Sequence, residues 1–142
     1  MKNEMETPQT GIDDIAQWRR QSLAAAFRNA WAGFCHALHT QRNMRLHLIA
    51  AAGAVALGAF LGLDAGEWSI LALSCALVIS METMNTALES VVDIASPRFS
   101  QLARHAKDCA AGAVLVASLS SLVVGGCIFI PKILRLAGLG ET

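Results

Sequence analysis

Three long apolar stretches constrain this chain more than any other feature. Leu48 to Leu63 and Trp68 to Ser80 each run without a charged residue, and Cys109 to Ile130 is built mainly of Ala, Val, Leu and Ser. With its entry from Met44, the first reaches about 20 residues, enough to cross a ~30 Å hydrocarbon core at ~1.5 Å per residue. A soluble domain rarely carries 15% charged residues beside 54% hydrophobic ones. Mean hydropathy is +0.47. The chain therefore reads as an all-α integral membrane protein of one domain. The formal net charge of +0 leaves no basic footprint for a nucleic-acid partner.

The other segments fit around these spans. Residues 1–11 read as a disordered polar tail, and the acidic residues Glu4, Glu6, Asp13 and Asp14 do not resemble a secretory leader. Residues 12–40 read as an amphipathic surface helix: Ile15, Trp18, Leu23, Phe27, Trp31 and Phe34 recur at roughly helical spacing. The three-helix transmembrane domain is placed at 41–135, with a short tail at 136–142. Gly58 and Gly62 form a GxxxG, a weak sign of close helix packing. Asp64 to Glu67 is an acidic turn, Ser96-Pro97 breaks the second span, Arg98 to Lys107 is a polar basic segment, and Pro131 is expected to close the third span. The four cysteines form no CxxC pair and read as small core residues. Ser118, Ser120 and Ser121 read as interhelical hydrogen-bonding residues.

Basic residues gather at one end of the spans, among them Arg19, Arg20, Arg28, Arg42, Arg45, Arg98, Arg104 and Lys107, while the 64–67 turn carries only acids. The positive-inside rule then puts the N-terminus in the cytoplasm, with Lys132 and Arg135 outside as opposing charges.

The second span ends in Met81-Glu82-Thr83-Met84-Asn85-Thr86-Ala87-Leu88-Glu89-Ser90-Val91-Val92-Asp93. At ~100° per residue, Glu82, Glu89 and Asp93 share a stripe flanked by Asn85 and Thr86. Ionisable groups in a span are costly and mark functional sites, although a solvated acidic boundary is the plainer alternative. Glu82, deeper, suits a general base for a lipid hydroxyl; Glu89, about 10 Å nearer the cytoplasm, suits a Mg²⁺ ligand. Asn85 can orient either carboxylate. Lys107 is expected near the N-terminus of the third helix, within reach of a phosphate, and Asp108 is either part of that site or a helix cap. His47 is either a substrate or phosphate contact or a boundary histidine bonded to backbone or Glu82. No Walker A motif, kinase glycine loop or GxGxxG occurs.

The stretch Glu82 to Asp93 resembles the signature E-x-x-N-[ST]-A-[IL]-E-x-x-V-D of the prokaryotic diacylglycerol kinase family of small membrane lipid kinases. Ala106-Lys107-Asp108, followed by Cys109 to Leu115, resembles the family's second block. The similarity covers about residues 27 to 131, and Arg42-Asn43-Met44-Arg45-Leu46-His47 looks closer to the undecaprenol kinase branch. The resemblance implies a homotrimer with shared active sites. It also implies Mg²⁺-dependent transfer of the ATP γ-phosphate to undecaprenol or diacylglycerol at the inner membrane. By position it implies Glu82 as base and Glu89 as metal ligand. Gln41, Glu89, Lys107 and Asp108 fall on ATP, and Glu82, Asn85, Arg45 and His47 on the lipid. Arg98 to Ser100 fall where the family's loop nears the nucleotide, with poorly matching identities. Gln41 stands where the family usually has a second metal-ligating Glu, so the metal would gain a carbonyl and lose a negative charge. The competing reading is a catalytically impaired member, or a non-enzymatic scaffold or small transporter with a buried acidic site.

Overall fold

The computed structural model describes residues 22–139, and all its regular elements are helices: α1 Leu23–Thr40, α2 Arg42–Leu61, α3 Ala65–Ala95 and α4 Gln101–Leu136. The last three are long and apolar enough to cross a membrane. The chain divides into two units, residues 1–36 and 37–142. In the first, Leu23, Phe27 and Trp31 follow at one-turn spacing and are largely exposed, and the Trp31 and Phe34 rings lie 5.6 Å apart. This is the apolar stripe expected of an amphipathic helix. The expected start of that helix at Ile12 lies outside the described residues.

In the second unit α3 packs most extensively on α4, and α2 lies against both. The buried positions explain the pairing. On α3 they are Leu71, Val78, Glu82, Asn85 and Thr86; on α4, Ala110, Val114, Ala117 and Ile128; on α2, Met44 and Gly58. Each set recurs at helical spacing, so each helix turns one stripe inward. Leucines on other faces, including Leu73, Leu119 and Leu122, remain exposed. In a spanning bundle such faces meet lipid or another subunit.

The acidic turn is built in detail. α2 ends at Gly62, whose φ of 65° is the left-handed conformation that glycine adopts without strain. A Cβ on Gly58 would lie 3.1 Å from both Leu63 and Trp68. The GxxxG thus serves the turn: Gly58 admits the Trp68 ring and Gly62 caps the helix. Asp64 opens α3 with a capping box, its carboxylate accepting from the Glu67 N–H at 2.9 Å while the Glu67 carboxylate accepts from the Asp64 N–H at 2.8 Å. The Glu67 N–H is the main reason that the Asp64 carboxyl titrates below its usual range. Beneath the turn, Leu63, Leu71 and Ile128 form a core with Trp68 and Phe129 against it.

Two expectations for α4 are corrected. The helix starts at Gln101, capped by the Ser100 hydroxyl, so most of the polar Arg98–Lys107 segment is helical and Lys107 sits well inside the helix. Polar residues continue a helix past the apolar core, and only Ser96-Pro97 and the residues up to Ser100 break it. Pro131 does not end α4, which runs on to Leu136. The missing N–H removes one bond near the helix end, while the chain beyond is fastened by Lys132, whose ammonium pairs with Glu67 at 2.9 Å and donates to the Gly62 carbonyl at 3.4 Å.

Candidate active site

The carboxylate stripe of α3 lies at the end of the bundle away from the acidic turn, and it runs from the buried Glu82 through the half-buried Glu89 to an exposed Asp93. Glu82 is 1% exposed, Asn85 7% and Thr86 5%. Thr86 satisfies its own hydroxyl by donating to the Glu82 carbonyl at 2.9 Å. Glu82 and Asn85 line a cavity of about 300 Å³ between α2, α3 and α4, with Asn43, Leu46, His47 and Ser118 on its other walls. No ion pair or hydrogen bond holds the Glu82 carboxylate among the described residues, which leaves it open to whatever enters. His47 lies close enough to interact electrostatically with Glu82. Asn85 Oδ1 is buried without a hydrogen-bond partner, so the chamber holds an unmet acceptor.

One turn on from Asn85, the Glu89 carboxylate is held from two sides. Asn85 Nδ2 donates to Oε1 at 3.1 Å, and Gln41 Nε2 donates to Oε2 at 3.2 Å. Gln41 is the N-cap residue of α2, but its side chain makes no cap bond and reaches across to α3 instead. The structure thereby brings Gln41, 48 residues away in sequence, onto Glu89 beside Asn85. Amide oxygens and a carboxylate are hard donors of the kind that Mg²⁺ takes, and Asn85 Oδ1 is unpartnered beside them, so the residues present fit the ion. Among the described residues, no group of three or more His, Cys, Asp or Glu forms a metal site.

The remaining expected residues lie around this centre. The Lys107 ammonium is ion-paired with Asp93, and Asp108 pairs with Arg104 at 3.7 Å on an exposed surface. Asp108 is therefore not a helix cap, and Lys107 does not use a helix N-terminus. Arg45 is exposed and lines neither this cavity nor its neighbour. The Ser100 hydroxyl caps α4. Two polar lining residues were not foreseen. Asn43 stands one turn before His47 on the same face of α2, a signal that was readable; Ser118 was grouped with serines that only join helices. A second, apolar cavity of about 470 Å³ runs on toward the acidic turn between Ala54, Leu71, Val78, Leu122 and Phe129, and shares His47 and Ser118 with the first.

The profile of the prokaryotic diacylglycerol kinases matches residues 28–129. This chain belongs to that family. It is 45% identical to a diacylglycerol kinase of Synechocystis over 81% of its own length and 66% of that relative's, just under two thirds of it. It is 37% identical to the undecaprenol kinase of Bacillus subtilis over 76% of its length and 88% of the relative's. It is 32% identical to a diacylglycerol kinase of Escherichia coli K12 over 66% of its length and 77% of the relative's. Membership agrees with the three helices long and apolar enough to cross a membrane.

Proposed function

We propose that this protein transfers the γ-phosphate of ATP to the hydroxyl of a membrane lipid, undecaprenol or diacylglycerol, at the cytoplasmic side of the inner membrane. The observation that carries the reading is the pairing of two differently treated carboxylates on one helix. Glu82 is buried, uncommitted and open to a chamber, while Glu89, two turns nearer the helix end, is braced by two amides.

The division of labour follows from that difference. A lipid hydroxyl entering the chamber would meet Glu82, which takes its proton as the oxygen attacks phosphorus. Glu89, with Gln41 after a half-turn of its amide, would hold Mg²⁺ on the ATP phosphates. When bound, the ion neutralises the phosphate oxygens and stabilises the charge that develops on transfer. Asn85 fixes the Glu89 carboxylate through its amide N–H and keeps Oδ1 for the incoming groups. Lys107 and Asp108 stand on the neighbouring helix toward the same end and are read as nucleotide contacts. Arg45 and His47 are read as lipid contacts, Arg45 at the headgroup level and His47 at the chamber wall. Active sites shared within a homotrimer would draw residues from neighbouring subunits, and the exposed apolar faces of the spans suit that assembly.

The test is transfer of label from γ-labelled ATP by purified protein in lipid, offering undecaprenol and diacylglycerol side by side, with and without Mg²⁺. Wild-type protein is expected to label one of them only with Mg²⁺. Glu82→Gln is expected to lose at least about 100-fold in rate, the contribution typical of a general base, with its fold retained. Full activity in that variant would remove Glu82 from the mechanism.

A further inference from the structure

Hydroxyl groups inside an apolar helix usually satisfy themselves on the preceding turn. Along α3, Ser69, Ser74, Thr83, Thr86 and Ser90 each donate to the carbonyl one turn back. On α4, Ser121 instead donates across to the Ser74 carbonyl at 3.2 Å. Ser118 does neither: its Oγ is buried and has no hydrogen-bond partner. The same holds for Asn85 Oδ1 on the facing helix, where the whole residue is 7% exposed. Two unmet polar atoms therefore line one chamber. Such groups cost free energy in an apolar interior unless something enters to meet them.

Register explains why they face each other. The Lys107–Asp93 ion pair ties antiparallel α3 and α4 near one end. Going the same number of residues deeper from each partner leads to Glu82 on α3 and Ser118 on α4. Both line the polar cavity, and Ser118 also lines the apolar cavity beyond. Ser118 thus stands where a polar chamber gives way to a hydrocarbon-lined one. In that second cavity the other serine hydroxyls, Ser74 and Ser121, are already committed to carbonyls.

We propose that Ser118 is a lipid-binding residue, whose hydroxyl donates to the oxygen of the acceptor alcohol at the junction of the two cavities. The alcohol's own proton is left pointing to Glu82, and its hydrocarbon chain continues into the apolar cavity. An alcohol oxygen has two lone pairs, so one can accept from Ser118 while the other is free to attack. Asn85 already spends one of its two amide N–H bonds on Glu89, and its unpartnered atom is an acceptor, whereas the unpartnered atom of Ser118 can donate. The inference rests on the lipid kinase reading and adds the residue that seats the acceptor.

The test uses full-length protein in lipid, with Ser118→Ala and Ser118→Thr. Ser118→Ala is expected to raise KM for the lipid acceptor about fivefold, the effect of one hydrogen bond, with KM for ATP and the melting temperature unchanged. Ser118→Thr, which keeps a hydroxyl, is expected to recover most of that loss. A purely structural serine would lower the melting temperature and leave acceptor KM alone, and that result overturns the proposal, as does a parallel rise in KM for ATP. A second measurement does not depend on turnover: photolabelling by a long-chain primary alcohol carrying a diazirine near its hydroxyl. Labelling of the wild-type chamber that falls in Ser118→Ala supports the proposal, and equal labelling of both overturns it. If no phosphate is transferred but labelling still depends on Ser118, the kinase reading fails while the binding role stands.

Discussion

Gln41 is the residue whose chemistry departs most from the pattern that the rest of the site follows. A carboxylate there would face Glu89 as a like charge, and only a cation between them would make the pair favourable. The amide removes that repulsion and donates a hydrogen bond to Glu89 at 3.2 Å. Gln41→Glu should reverse both effects. The expected outcome is a tighter Mg²⁺ requirement, with the half-saturating Mg²⁺ concentration falling about tenfold, and a lower melting temperature when the metal is chelated. Titrating activity and melting temperature against Mg²⁺ in both proteins checks it. A large loss of activity at saturating Mg²⁺ would show that Gln41 is not at the metal.

At the scale of elements, the ends of α3 answer to different physics. Its start is fixed by the Asp64–Glu67 capping box, and this gives a pH dependence of definite sign. The Asp64 carboxyl titrates lower in the folded protein than unfolded, because its ionised form accepts the Glu67 N–H. Its contribution is therefore fully present above the unfolded carboxylate range and is lost as pH falls through the lower, folded value. Melting temperature is expected to fall on acidification below about pH 4, the ordinary range of an aspartate. Asp64→Asn keeps a capping oxygen but not the titration, and should flatten that part of the profile. An unchanged slope in the variant would assign the acid sensitivity elsewhere.

The elements also mark what was readable from the residues. Long apolar runs locate α2, α3 and the body of α4, because length and hydropathy alone decide what can span a bilayer. The inward stripe through Glu82, Asn85 and Glu89 was readable for the same reason, since helical periodicity fixes a face before any partner is known. The start of α4 was not. Arg98 to Lys107 is polar, and polarity says where the lipid core ends, not where the helix ends. Pro131 misled because a proline is a weak stop when the chain beyond it is anchored, here by Lys132 on Glu67. Ser118 could not be separated from Ser121 by sequence, since their difference lies in which carbonyls come within reach across the bundle.

For the whole molecule, the Lys132 pairing also bears on orientation. Lys132 and Arg135 were the charges that opposed the positive-inside assignment; the Lys132 ammonium is matched by Glu67 and the Gly62 carbonyl, so of the two it adds little free positive charge to that end, while Arg135 still counts against the assignment. On the orientation proposed above, the end carrying Glu89, Gln41 and Lys107 would be the cytoplasmic one, where nucleotide would arrive. Binding and chemistry are separable there, because the residue assigned to the proton and the residue assigned to the metal sit two turns apart on α3. An ATP analogue with Mg²⁺ should raise the melting temperature of the wild-type protein, by an amount corresponding to about 2.7 kcal/mol at a hundredfold excess over Kd. Glu82→Gln should retain that shift while losing transfer. Glu89→Gln should lose the Mg²⁺-dependent part of the shift itself, since its carboxylate is the one negative charge that the paired amides present to the ion. Thermal unfolding of the three proteins with analogue alone, Mg²⁺ alone and both together distinguishes the roles. A Mg²⁺-dependent shift that survives in Glu89→Gln and vanishes in Glu82→Gln would exchange the two assignments, and no shift in any of them would leave the acidic stripe without a nucleotide to serve.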